Sequence, residues 1–217
     1  MLKVDSVELS YNGRKILQGI YLDCQPNEVV GLLGRNGCGK SSLLKIIFGT
    51  LNPTYRHVSI DDRVISKGYL HNKIAYLPQH HFLPQHLLIT ELAQMLVDEQ
   101  SWDEFEQLPT FQRFQHCKPH QLSGGELRQI ETLIILYSKA EYILLDEPFI
   151  HLSPIQAEEF KVLIRLRSKC KGIIVTDHQY RSILEISDRI FLLNNGRTHQ
   201  INEAAELISY GYLNHII

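Results

Sequence analysis

Long apolar runs, paired cysteines and an excess of either charge are all missing from this sequence, and each absence removes a class of function. No stretch approaches the roughly 20 apolar residues that a membrane-spanning helix needs. Met1-Leu2-Lys3-Val4-Asp5 opens a strand pattern where a signal peptide would carry an apolar core. Contact with a membrane is therefore expected only through a partner. Cys24, Cys38, Cys117 and Cys170 are scattered without C-x-x-C pairing, which argues against a zinc site or a disulfide framework and suits a reducing cytosol. With 22 basic and 24 acidic residues the formal net charge is -2, and no run of Lys or Arg is present to neutralise a polyphosphate backbone. Nucleic acid is a poor partner for such a chain. Repeats and low-complexity tails are lacking too. A chain of 217 residues, 44% of them hydrophobic, is expected to be one domain, residues 1–217, with two lobes and no room for a regulatory domain.

What is present begins with Gly34-Arg35-Asn36-Gly37-Cys38-Gly39-Lys40-Ser41, a full match to G-x-x-x-x-G-K-[ST]. Val29 to Leu33 reads as a buried parallel strand before it, and Lys40 to Phe48 as a helix after it, with Gly49 placed to end that helix. Glycines let the backbone bend round an anion with its N–H groups inward, and the helix start adds partial positive charge at the same place. Lys40 is placed to reach the β- and γ-phosphates of a nucleotide, and the Ser41 hydroxyl to bind Mg²⁺.

Leu2, Val4, Val7, Leu9 and Tyr11 alternate with polar residues, slipping once at Asp5-Ser6, and the Asn12-Gly13 turn leads into Ile16, Leu17, Ile20 and Leu22. An antiparallel hairpin is predicted there, and another through Val58-Ser59-Ile60, Asp61-Asp62 and Val64-Ile65. Tyr11 closes the first strand, where a ring either stands in solvent or stacks on a base. Ile74 to Leu77 reads as a core strand ending at Pro78-Gln79. A strand's carboxyl end is where α/β sheets meet ligands, and also where an ordinary loop glutamine stands. About residues 80–135 are expected to form an inserted helical lobe, since prolines, glutamines, phenylalanines and the only tryptophan gather there. His80, His81 and His86 lack neighbours to complete a metal site and read as surface histidines.

Ser123-x-x-Glu126 is a capping box, predicting a helix of about fifteen residues on Leu127, Ile130, Leu133, Ile134 and Tyr137. Its start is either just a good cap or a second anion seat, built from the N–H groups of Gly124 and Gly125 beside a hydroxyl. Tyr142 to Leu145 is an apolar strand ending in Asp146-Glu147. After a complete phosphate loop, the first acid is placed to hold Mg²⁺ and the second to orient and deprotonate an attacking water. A helix over Glu158 to Lys169 follows, then a buried strand, Gly172 to Thr176, ending at Asp177-His178. His178 either bonds a γ-phosphate or does nothing chemical. Ile190 to Leu193 with the turn Asn194-Asn195-Gly196, and a short helix around Glu203 to Ile208, complete the pattern.

Taken together, the motifs resemble the nucleotide-binding subunit of an ATP-binding cassette (ABC) protein along essentially the whole chain, most specifically at Leu122-Ser123-Gly124-Gly125-Glu126, which is similar to that family's signature sequence. The resemblance implies an α/β fold: a P-loop NTPase core of RecA-like type, an antiparallel β-subdomain and a small inserted helical subdomain. It implies that Tyr11 stacks on adenine, that Gln79 belongs to the Q-loop and that His178 is the switch histidine. It implies an ATPase in which two cassettes associate head to tail. ATP and Mg²⁺ bound at Gly34, Arg35, Asn36, Gly37, Cys38, Gly39, Lys40, Ser41 and Ser42 of one are closed over by Ser123, Gly124, Gly125 and Glu126 of the other. By the same resemblance Glu147 is the base, Lys40, His178 and Gln79 assist, and Ser41, Asp146 and Gln79 attend the metal. The expected partners are a second ABC subunit, identical or a sibling, and a transmembrane permease that holds the protein, otherwise cytoplasmic, on the inner face of the membrane. A soluble ABC-type ATPase of an assembly pathway, such as iron–sulfur cluster building, is the alternative; a translation or DNA-maintenance ATPase is disfavoured by the single cassette and the missing basic stripe. Two departures stand out. Ile150-His151-Leu152-Ser153 replaces a Ser-Ala-Leu-Asp-like loop, which puts communication between the two sites in question, and the segment from Gln79 to Leu122 is short for the family.

Overall fold

The computed structural model describes residues 1–213. β1 (Leu2–Tyr11) and β2 (Arg14–Cys24) form the expected hairpin round Asn12-Gly13. The Asp5-Ser6 slip is a bulge, with Ser6 at φ 53 and the register shifting between Val4 and Val7. β3 (Val29–Leu33) leads through the glycine-rich loop into α1 (Lys40–Phe48), which Gly49 ends at φ 98. β4 (Tyr55–Ile60) and β5 (Arg63–Val64) follow, then β6 (Ile74–Leu77). Three short helices come next, α2 (Ile89–Leu96), α3 (Trp102–Glu106) and α4 (Pro109–Phe114), before the longer α5 (Gly124–Leu136). The chain closes with β7 (Tyr142–Asp146), α6 (Pro154–Arg167), β8 (Gly172–Thr176), α7 (Tyr180–Ile186), β9 (Arg189–Asn194), β10 (Arg197–Ile201) and α8 (Ala204–Ser209).

Two sheets result. One has the order β10-β9-β3-β8-β7-β6, parallel except for β10; the other, β2-β1-β4-β5, is antiparallel. The strand period of two divides the apolar residues of the parallel sheet between two cores. Val30, Leu32, Leu144, Ile174 and Phe191 pack with Leu43, Leu44 and Ile47 of α1 and with the antiparallel layer. Val29, Leu33, Ile143, Leu145, Ile173 and Val175 pack on the other face, with Ile130, Leu133 and Ile134 of α5 and with α6 and α7. The sheet is thus covered on both sides, and the carboxyl ends of its parallel strands emerge along one edge. The phenylalanines between β6 and α5 hold the short helices together: the Phe105 ring lies 4.7 Å from Phe111 and 5.4 Å from Tyr137 just past α5.

Two element starts differ from the sequence reading by three residues or more, and α7 is a helix that reading lacks. The helix expected from Glu158 begins at Pro154, because Ser153 caps it: the Ser153 N–H donates to Gln156 Oε1 at 2.9 Å, and proline suits a first helical turn. β4 starts three residues before Val58, since the polar Tyr55-Arg56-His57 pairs with β1. No helix among the described residues is long and apolar enough to cross a membrane.

Gly31 sits in the middle of β3 where α7 lies directly on the sheet. A Cβ there would meet Ile183 Cγ2 and Ser187 Oγ, each at 2.6 Å. Gly31→Ala is expected to destabilise the fold by about 1–3 kcal/mol through overpacking, lowering the thermal midpoint by roughly 2–12 °C in a calorimetric scan. An unchanged midpoint would mean that α7 yields freely.

Candidate functional site

At the carboxyl edge of the parallel sheet lies a cavity of about 500 Å³. Tyr11, Asn36, Gly37, Gly39, Lys40, Ser41, Ser42, Gln79, Glu147 and His178 line it, so residues spread over most of the sequence meet at one place. The reason is strand order. β3 lies beside β8, β8 beside β7 and β7 beside β6, all parallel, so the residues that follow each strand come out side by side.

The loop after β3 is shaped for an anion. The first backbone bond of α1 runs from Leu43 N to Gly39 O, leaving the amides of Lys40, Ser41 and Ser42 without an intrahelical partner. Gly39 has φ 112, and a Cβ there would stand 3.0 Å from the Leu17 side chain. Lys40 is buried, and its ammonium donates to Gly34 O at 2.7 Å and to Arg35 O at 3.3 Å, inside the curve of the loop. The Arg35 side chain turns away and donates to Gly211 O at 2.5 Å, so Arg35 belongs to the loop by its backbone. A helix N-terminus, a buried cation and open space over Gly37 together fit a nucleotide polyphosphate.

Two hard oxygen donors stand at the inner end. Ser41 Oγ donates to Asp146 Oδ1 at 3.1 Å, and Tyr76 OH donates to Asp146 Oδ2 at 3.0 Å. Burial, reinforced by the Asp146 charge, pushes the Tyr76 hydroxyl well above its usual titration range, so it stays a donor. A hydroxyl and a single carboxylate suit Mg²⁺, which keeps water and phosphate oxygens as its remaining ligands. No cluster of three or more His, Cys, Asp or Glu suited to a metal occurs among the described residues.

Glu147 is held from two sides. Gln79 Nε2 donates to its Oε2 at 2.9 Å, and His178 Nε2 lies 2.6 Å from its Oε1. Its backbone is left-handed at φ 54, which costs on the order of 1 kcal/mol in a non-glycine residue. The conformation is held by Glu147 N–H donating to Thr176 O at 2.7 Å and by Arg128 Nη2 donating to Glu147 O at 2.9 Å. Asp177, beside His178, accepts from Phe149 N at 3.1 Å and Gln179 N at 2.9 Å, tying the strand ends of β7 and β8 together; burial raises its carboxyl above the usual range. Sequence reasoning assigned no role to Tyr76, Arg128, Glu131 or Asp177. Only Asp177 carried a signal, as the polar residue at a strand end before His178.

Ser123, Gly124, Gly125 and Glu126 do not line this cavity. The capping box is present: Ser123 N–H and Oγ donate to Glu126 Oε2 at 3.0 and 2.7 Å, which holds the Glu126 carboxyl below the usual carboxylate range. Ser123 and Gly124 stand exposed, and a Cβ on Gly125 would meet His151 O at 2.5 Å. His80, His81 and His86 are exposed as expected, with His81 Nδ1 turned to the buried Glu131 carboxylate at 2.9 Å.

Cys38 packs its sulfur over Gly34 in the loop, and burial pushes its thiol above the usual range despite the nearby Lys40 charge. Because the thiolate is the reactive form, alkylation of the folded protein at neutral pH is expected to reach exposed Cys170 well before Cys38. Cys38 labelling should accelerate only as pH rises beyond the ordinary thiol range, and added ATP should slow it. Mass spectrometry of the labelled peptides checks this; rapid Cys38 labelling indifferent to ATP would contradict the cavity's assignment.

Comparison with known proteins agrees with this geometry. The family model described as ABC transporter matches residues 17–150. The chain is 30% identical over 212 residues to the lipopolysaccharide export system ATP-binding protein LptB of Haemophilus influenzae, with 91% of this chain and 88% of that protein covered. Its fold is similar to the ATP binding subunit of an ABC transporter, with TM-score 0.84 at 22% identity over 98% of this chain and 94% of that one. It is also similar to the dimeric structure of MJ0796, a bacterial ABC transporter cassette, with TM-score 0.79 at 23% identity over 94% of this chain and 100% of that one. With the family model over most of its length and a phosphate loop, signature helix and Asp-Glu strand end in one fold, the chain belongs to the ABC transporter family and is one of its ATP-hydrolysing cassettes.

Proposed function

We propose that this chain powers a separate transmembrane permease by closing, with a second cassette, over ATP. The observation that carries the reading is a division of labour: the cavity at Lys40 collects the groups for hydrolysis, while the helix start at Ser123 stands exposed and away from it. Two copies placed head to tail would bring the Ser123, Gly124 and Gly125 amides of one over the phosphates held by the other. A γ-phosphate shared by two helix N-termini favours the closed pair, and its loss opens it. The solved cassette MJ0796, a fold relative, is described as dimeric.

In this reading the adenine stacks on Tyr11 and the phosphates lie along Gly34 to Ser42. Lys40 and His178 stabilise charge on the γ-phosphate. Glu147 accepts the proton of the attacking water, whose oxygen bonds to the γ-phosphorus as the bond to ADP breaks. Mg²⁺, when bound, neutralises phosphate charge there, and Ser41 and Asp146, with Gln79 beside them, would hold it. Gln79 joins this site to the outside: Pro78 before it and Phe82 after it line an apolar groove of about 610 Å³ between the sheet edge and the short helices. Met95, 72% exposed, and Leu96 stand at that groove. An apolar segment of the permease seated there would feel the Gln79 loop move. The whole chain, residues 1–217, acts as one cassette in which about residues 80–135 form the inserted lobe that grips the permease. Attachment is to the inner face of the membrane. The relative in Haemophilus influenzae is named for lipopolysaccharide export; an export permease is the first to test.

Glu147→Gln is expected to keep ATP binding but lower turnover by 10²-fold or more, a general base being worth roughly 10²–10⁴, and to trap a dimer visible by light scattering with Mg·ATP. Persistent hydrolysis would assign the base elsewhere. Ser123→Arg is expected to leave binding to the monomer intact while abolishing ATP-dependent dimer and turnover together. Normal turnover would leave Ser123 only a helix cap, and recovery of only soluble partners by affinity purification from solubilised membranes would favour an assembly pathway instead.

A further inference from the structure

Arg128, on the second turn of α5, is the largest of the fully buried side chains. Burial works against its charge, and the carboxylates of Glu131 and Asp146 work for it. Glu131, itself fully buried, lies 3.8 Å away, too far for a hydrogen bond; it supplies a countercharge while its own oxygens accept from Phe82 N at 2.8 Å and His81 Nδ1 at 2.9 Å. The guanidinium spends its donors on main chain. Nη1 donates to Pro78 O at 2.6 Å; Nη2 donates to Asp146 O and, at 2.9 Å, to Glu147 O; Nε finds no partner.

An apolar side chain of the same volume would fill this space at no cost in desolvation, and buried ion pairs are often no more stabilising than such a replacement. The position of the three carbonyls is what Arg128 provides in return. One precedes Gln79; the other two belong to Asp146 and Glu147, the latter in a left-handed conformation that its neighbours must impose. A planar fork with donors on two sides can hold both strand ends to one helix, which a single ammonium cannot.

We propose that Arg128 is a positioning residue that locks the main chain at Pro78 and at Asp146-Glu147 to helix α5, setting the Glu147 carboxylate for proton transfer. The proposal rests on the reading of Glu147 as base. It has a second consequence: α5 begins at Ser123, so a phosphate drawn onto that helix start by the second cassette acts on Glu147 and Gln79 of the same chain through Arg128. This route between the two sites does not involve residue 153.

Two variants test it. Arg128→Lys keeps a charge but loses the fork, and the double variant Arg128→Met/Glu131→Leu removes both buried charges, so that folding does not depend on an unpaired ion. In each, kcat is expected to fall on the order of 100-fold, as for a misplacement of about 1 Å. ATP affinity should stay within about twofold of the parent, and the ATP-bound dimer should outlive that of the parent, as in Glu147→Gln. Adding Arg128→Lys to Glu147→Gln should cost nothing further. Parental kcat in either folded variant overturns the proposal, as does a loss of kcat that merely tracks weaker ATP binding or a weaker dimer. If Glu147→Gln itself hydrolyses normally, it is the base reading that fails; if it is inactive while the Arg128 variants turn over normally, only the role of Arg128 is lost.

Discussion

Parallel register is the constraint on which this molecule depends. β3, β8, β7 and β6 run the same way, and Asp146 of β7 pairs directly with Thr176 of β8. Neighbouring strands lie roughly 4.8 Å apart, so the residues at and just past each strand's carboxyl end are within side-chain reach of one another. The glycine-rich loop, Asp177-His178, Asp146-Glu147 and Gln79 are those residues. Once the strands pair, the site contacts follow: Ser41 reaches Asp146, and Gln79 and His178 converge on Glu147. The two cores serve this alignment. Alternate residues of each strand are gripped from opposite faces, so a one-residue slip of any strand would move buried groups to the wrong core and its terminal acid out of line.

Much of this could be read from the sequence because phosphate chemistry demands particular residues at fixed spacing. The loop, its Lys40 and Ser41, the capping box at Ser123 and the acids ending β7 are local patterns, and each sits on the element it predicts. What could not be read is contact through space between distant residues of ordinary type. α5 shows why. Helical spacing picks out Leu127, Ile130, Leu133 and Ile134, yet Arg128, Gln129, Glu131 and Thr132 are buried as well. The polar face is covered because it lies against the strand ends, and nothing in a helical period says what will cover it. Tyr76 was hidden in the same way, a core aromatic by pattern whose hydroxyl happens to meet Asp146.

The turn after β7 bears on how the two ends of the molecule are joined. Ser153 stands where the Ser-Ala-Leu-Asp-like loop of the family resemblance has its aspartate, the departure that puts communication between the two sites in question. In the structure Ser153 is an N-cap, a position that serine and aspartate fill about equally well, so α6 starts where it would with either. The contact of this turn with the signature helix is made elsewhere. His151, left-handed at φ 63, places its carbonyl oxygen 2.5 Å from where a Cβ on Gly125 would stand. That contact is main chain against main chain and does not depend on the residue at 153. Phe149, in the same turn, is tied by its N–H to Asp177, next to His178. The turn is therefore bonded to the hydrolytic edge at one end and packed on the α5 start at the other. With serine at 153 the cap of α6 is kept, and the two contacts that fix this turn, Phe149 N–H to Asp177 and His151 against Gly125, are made by other residues.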